Sequence, residues 1–290
     1  MSKKRKASSS PPAQDAPSGQ TGQSGGEPAD SPVQAGERAA GSAAPAINWN
    51  PWIGVVFVVL AYYFSQIISS LIVSIYPLLK HWSGDQATDW LQNSIYGQFF
   101  FVLLAESIIL GGLYLFLRRY RRSFQTIGLK KPRWADPLYG LAAMPVYYIV
   151  YLIVVGLAGH YITGLNIDQQ QDIGFNDVNG GLEMVLAFIS LVVLPPLAEE
   201  IMVRGFLYSS LKKITKLIPA AIITSLIFAA AHLPEGGAAG PLYIAAIDTF
   251  VLSLFLIYLR EKTGSLWASI TLHALKNGVA FVALFVLHAH

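Results

Sequence analysis

The sequence predicts an all-α, polytopic transmembrane bundle of about seven spans behind a disordered N-terminal tail, and three observations carry that prediction. Hydrophobic residues make up 53% of the 290 positions and charged residues only 13%, with a mean hydropathy of +0.48, far oilier than an ordinary soluble domain. From Trp52 onward the apolar residues come in runs of membrane-crossing length, separated by charged or Gly/Pro-rich breaks. After the tail, Lys and Arg collect in alternate breaks, as expected when every second loop faces the same side.

Residues 1–48 are rich in Ser, Ala, Gly, Pro and Gln and poor in large apolar side chains, so they are expected to form a disordered cytosolic tail. The tail begins with Lys3, Lys4, Arg5 and Lys6, but no apolar run follows at once, which argues against a cleaved signal peptide. Residues 49–290 are expected to form a single transmembrane helical domain. Its spans are read as approximately Trp52–Leu78, Gln98–Leu117, Leu138–Tyr161, Leu182–Ala198 continuing to Leu211, Leu217–Leu233, Leu242–Leu259 and Leu266–Leu287. In the fourth, Pro195 and Pro196 predict a kink or break; Pro219 falls at the start of the fifth, where proline is tolerated. The clusters Arg118 to Arg133, Lys212 to Lys216 and Arg260 to Lys262 then share one side. The opposite loops carry Asp85, Asp89, Asp168, Asp172, Asp177 and Glu235. The positive-inside rule places the N-terminus and the basic loops in the cytosol, and the expected location is a bacterial plasma membrane. The small formal charge of +3 implies no nucleic-acid partner. With no cysteine, thiol nucleophiles and thiolate metal sites are excluded.

Charged side chains inside spans are costly and mark candidate sites. In the fourth, Glu200 and Arg204 are four residues apart and share a helix face as a neutralising pair, whereas Glu199 is turned about 100° away with no partner in its own segment. The fifth places Phe228 and His232, and the seventh His273 and Asn277, at the same four-residue spacing. Counted from the nearest basic residue at about 1.5 Å per residue, His273 lies about 17 Å deep, Glu199 about 20 Å, Asn277 about 22 Å and His232 about 24 Å, so the four can meet near the midplane. A buried Glu can take a proton from water with a His as relay, and a second His with an amide donor can stabilise an oxyanion. Glu199, His232 and His273 could equally hold a catalytic zinc. Glu106 and Asp248, in the second and sixth spans, could each line the cavity and are read in preference as polar groups between helices.

Glu199-Glu200-x-x-x-Arg204, Phe228-x-x-x-His232 and His273-x-x-x-Asn277 resemble, in order and spacing, the three motifs of the CPBP intramembrane endopeptidases, the group that includes CAAX prenyl protease type 2 and bacteriocin-processing and immunity proteins. The resemblance covers about residues 90–287, and the Arg260–Ala268 run is similar to the family's lead-in to its last motif. It implies an endopeptidase acting on peptide or protein substrates at the lipid bilayer, with Glu199 as the water-activating base, His232 as its partner, His273 and Asn277 as the oxyanion site, and Glu200 and Arg204 bracing the helix. Both a metal-free glutamate mechanism and a zinc-dependent one are compatible with that resemblance. The alternative is a non-enzymatic scaffold, an immunity protein or a transporter using the same polar cluster.

Overall fold

The computed structural model of the chain describes residues 47–171, 173–175, 178 and 180–288. All but the last two positions of the expected tail lie outside these residues, as do Asp172, Asp177 and His290. Among the described residues there is no strand, and seven helices are long and apolar enough to cross a membrane. They are α1 (Pro51–Leu79), α3 (Ile95–Arg119), α4 (Ala135–Tyr161), α5 (Gly181–Ile214), α6 (Leu217–Gly237), α7 (Tyr243–Thr263) and α8 (Trp267–Val286). A short helix, α2 (Gly84–Asn93), lies between the first two.

Local chemistry sets the ends. Asn50 caps α1 by accepting the Trp52 N–H at 3.0 Å, with Pro51 in the first turn where its missing N–H costs nothing. Ser83 and Gln86 form a reciprocal capping box on α2. Ser94 caps α3, which therefore starts three residues before the expected Gln98. Gly264, in the left-handed region at φ 63°, closes α7 after the basic turn of Arg260 and Lys262.

The expected break at Pro195 and Pro196 is absent: α5 runs continuously for 34 residues. Its backbone widens to π-helix over Ile189–Val193, directly before the prolines, and again over Glu200–Leu207. Proline has no N–H to give to the carbonyl four residues before it, and for Pro195 that carbonyl, Leu191 O, takes its hydrogen bond from Asn277 Nδ2 at 2.9 Å instead. The second wide segment starts at Glu200, so the acidic pair stands where the helix changes pitch.

Of the seven helices α7 is the most enclosed, with half of its apolar window buried against 6% for α4, which turns most of its surface outward. Close approach is allowed by small residues. A Cβ on Gly140 of α4 would stand 2.8 Å from the Ala268 carbonyl oxygen and 3.0 Å from the Leu272 nitrogen of α8, both backbone atoms that cannot swing aside. Gly140→Ala is therefore expected to cost about 1–3 kcal/mol by pushing α4 off α8, read as a lowered melting temperature in detergent. Trp49, in the segment before α1, is 1% exposed, stacks on Phe206 at 5.1 Å and donates to Ser210 Oγ at 2.9 Å, fixing the start of α1 to the end of α5.

The basic segments meet at one end of the bundle. Trp267 Nε1 donates to Lys130 O at 2.7 Å, Arg133 Nη2 to Thr263 O at 2.8 Å and Arg260 Nη2 to Ser209 Oγ at 2.6 Å, while Lys212 pairs with Glu261. At the other end the segment after α4 folds back over the helices: Gln171 Nε2 donates to Glu235 Oε2 at 2.9 Å, and the Phe175 N–H to Gln98 Oε1 at 2.6 Å.

Candidate active site

Glu200 and Arg204 are both fully buried, with Arg204 Nη1 2.9 Å from Glu200 Oε1. The guanidinium carbon lies 4.0 Å from the centroid of the Phe228 ring, so the aromatic face of α6 covers the charge that the carboxylate does not. Glu200 has a second partner that its helix could not supply: the His273 Nδ1–H of α8 donates to the same Oε1 at 3.1 Å. Since a carboxylate paired with Arg204 only accepts, this contact puts a proton on Nδ1 and points Nε2 the other way. That nitrogen is 3.8 Å from Glu199 Oε2. His273 thus stands between the two neighbouring acids of α5.

His232 lies at the end of the α-helical part of α6. Its Nδ1–H donates to the Phe228 carbonyl at 2.8 Å, and its Nε2 is 3.8 Å from Glu235 Oε1. It makes no pair with Glu199 within 4.0 Å, so the imidazole nearest that carboxylate is His273. Asn277 gives one amide N–H to the Leu191 carbonyl at 2.9 Å, in the first π-helical segment of α5. This bond ties α8 to the widened turn, leaving the second N–H of the same amide for a ligand.

Glu199, His232, His273 and Asn277 all line one cavity of about 330 Å³. Gln171, Ile173, Phe175 and Glu235, at the end of the bundle remote from the basic segments, also border it. The Glu199 side chain is 28% exposed, in contrast to the sealed Glu200 and Arg204, while its Oε2 is buried with no hydrogen-bond partner in the protein. Glu199 and Glu106 also line an adjoining, mostly apolar groove between α1 and α6, bordered by Val58, Tyr62, Ile227 and Ala231. The cavity wall is therefore polar on one flank and oily on the other.

Sequence reasoning left several lining residues without a role. Glu106 and Asp248, read as polar groups between helices, both face the cavity. Asp248 does bond between helices: its Oδ2 is 3.0 Å from Lys276 Nζ of α8, and its Oδ1 accepts the Tyr147 hydroxyl of α4. Lys276 lies inside α8 and not in a basic loop. The available signal was an acid and a base buried in consecutive spans.

The donor set does not fit a zinc ion. Among the described residues no three His, Asp or Glu side chains are gathered as metal ligands require: Glu199 and His273 approach each other at 3.8 Å, while His232 lies with Glu235 and His273 Nδ1 is held by Glu200.

Comparison with known proteins bears on this same part of the chain. The family model for Type II CAAX prenyl endopeptidase Rce1-like proteins matches residues 181–279, the stretch that carries α5, α6, α7 and most of α8. The chain is also 25% identical over 235 residues to "Putative membrane peptidase YdiL" of Bacillus subtilis (strain 168), a match covering 80% of this chain and 88% of that protein. No solved structure matches the chain. The three motifs, the helices that bring them to one cavity and the family match coincide: residues 181–279, which hold all three motifs, are the stretch that is similar to the Rce1-like type II CAAX prenyl endopeptidases.

Proposed function

We propose that the chain is an intramembrane endopeptidase that hydrolyses peptide bonds of membrane-associated substrates with a glutamate-activated water. The observation that carries this reading is the meeting of Glu199, His232, His273 and Asn277 on one cavity, with a Glu199 carboxylate whose Oε2 takes no hydrogen bond from the protein. Glu199 takes a proton from the water as its oxygen attacks the carbonyl carbon. His232, whose Nδ1–H is committed to Phe228, presents an unprotonated Nε2 to the cavity and accepts the water's second hydrogen, holding the nucleophile. The oxyanion is met by the free amide N–H of Asn277 and by Nε2 of His273 in its doubly protonated form, for which Glu200 is the counter-charge. Collapse breaks the C–N bond, and the proton held by Glu199 passes to the leaving amine. Glu200 on this reading orients an imidazole as well as bracing its helix. The N-terminus and the basic end of the bundle are placed in the cytosol by their charge.

The reading is tested by reconstituting the protein in vesicles with single-span peptides and identifying the fragments by mass spectrometry. Cleavage at a defined bond near the apolar segment is expected, and an intact peptide set with folded protein would overturn it. Asn277→Ala should lower kcat by about 10²- to 10³-fold with KM little changed, because the lost donor acts on charge that develops only in the transition state.

A further inference from the structure

Four carboxyl side chains line the cavity: Glu106, Glu199, Glu235 and Asp248. Among the described residues a single Lys or Arg side chain, Lys276, faces them. Arg204, the other cation nearby, is sealed behind Phe228 and Glu200 and does not reach the cavity. Lys276 is placed with care. Its Nζ lies 3.0 Å from Asp248 Oδ2 on α7, and the opposite oxygen of that carboxylate accepts the hydroxyl of Tyr147, itself fully buried on α4. Three helices thus hold one ammonium, yet its side chain remains 24% exposed toward the cavity. An ammonium has three donors and Asp248 engages one of them.

A charge carried inside a span is expensive, and if its purpose were only to join α7 and α8, an apolar pair would serve as well. Here the charge is turned toward the polar space, one residue from Asn277 and one helical turn from His273. Resting on the peptidase reading above, we infer that Lys276 binds a carboxylate of the substrate and thereby fixes the register of the peptide across Glu199. Elsewhere on the described wall a carboxylate would meet further carboxyl groups, Glu106, Glu199 or Glu235, and no cation, so this is the one place where it gains an opposite charge. The group is either the C-terminal carboxylate of the peptide or an acidic side chain at a set distance from the cleaved bond. Asp248 and Tyr147 are positioning residues for the ammonium.

The test uses the full chain in vesicles and two series of single-span peptides. One compares a C-terminal acid with its amide; the other compares Asp with Asn at successive positions. Binding is read by displacement of a fluorescent peptide, and kcat and KM are measured alongside. The wild type should bind the charged member of one series about 10-fold or more tightly than its neutral twin, with the difference in KM and not in kcat. Lys276→Arg should keep the preference, and the charge-neutral Lys276→Gln/Asp248→Asn pair should reduce it to within about twofold. A preference in the first series identifies the C-terminus, and one in the second identifies a side chain. Equal binding of acid and neutral twins by the wild type in both series overturns the proposal, as does a preference that survives in the folded neutral pair. If that pair does not fold, the wild-type comparison decides. Because binding is read without cleavage, absent proteolysis would refute the peptidase reading separately from the carboxylate site.

Discussion

Replacing Glu199 by Gln is expected to lower kcat/KM for a membrane peptide by about 10²- to 10⁴-fold while leaving the amount of folded protein unchanged. Gln keeps the size and hydrogen-bonding reach of the side chain but cannot take a proton from water. Folding should tolerate the change because Oε2 has no hydrogen-bond donor in the protein to lose, and removing a charge from a mostly apolar surrounding carries no penalty. Glu199→Ala should be at least as inactive. Glu199→Asp, which keeps the charge but withdraws it by one methylene, should retain part of the activity, since a displacement of about 1 Å at a reacting group costs about 10²-fold. Cleavage rates and protein abundance are measured on the same preparations. Cleavage retained by the Gln variant would remove Glu199 as the base.

The second large effect is on stability. Glu200→Gln leaves the Arg204 guanidinium fully buried with its carboxylate partner gone, and a loss of about 3–5 kcal/mol is expected, read from thermal melting in detergent. Arg204→Lys should also be damaging, because a lysine loses both the planar face laid on Phe228 and the fork directed at Glu200. Replacing both residues by apolar ones, Glu200→Leu with Arg204→Met, should recover much of that stability, since neither charge is then left unpaired. Activity should not return with it. The imidazole of His273 is held by Glu200 Oε1 at 3.1 Å, and without that acceptor its Nε2 is no longer directed at Glu199. A double variant that melts near the wild-type temperature and still cleaves at full rate would show that Glu200 serves the fold alone.

The spans were legible because their signal is additive: run length and hydropathy do not depend on which helix lies beside which. The same holds for Glu200 and Arg204, whose contact depends on spacing within one helix and appears at 2.9 Å even where the backbone has widened to π. Whether Pro195 and Pro196 kink or break their helix was not legible, because the answer depends on a π-helical turn before them and on Asn277 of α8, which serves the Leu191 carbonyl that Pro195 cannot. Trp49 illustrates a different gap. It sits where composition shows only the end of a polar stretch, and its burial depends on Phe206 and Ser210, more than 150 positions away.

What the sequence by itself determined was the helical class, the number of spans, the gathering of basic residues into alternate breaks, and the pairs that lie four residues apart on one face. Periodicity, length and charge are properties of each segment alone. Only the tertiary structure decided that His273, and not His232, stands beside Glu199, that Glu200 reaches across to α8, and that Lys276 is held by Asp248 and Tyr147. Those contacts depend on how each helix is rotated about its axis and how deeply it sits against its neighbours. That rotation is set by small residues such as Gly140 and by the whole apolar packing at once, and no single segment encodes it.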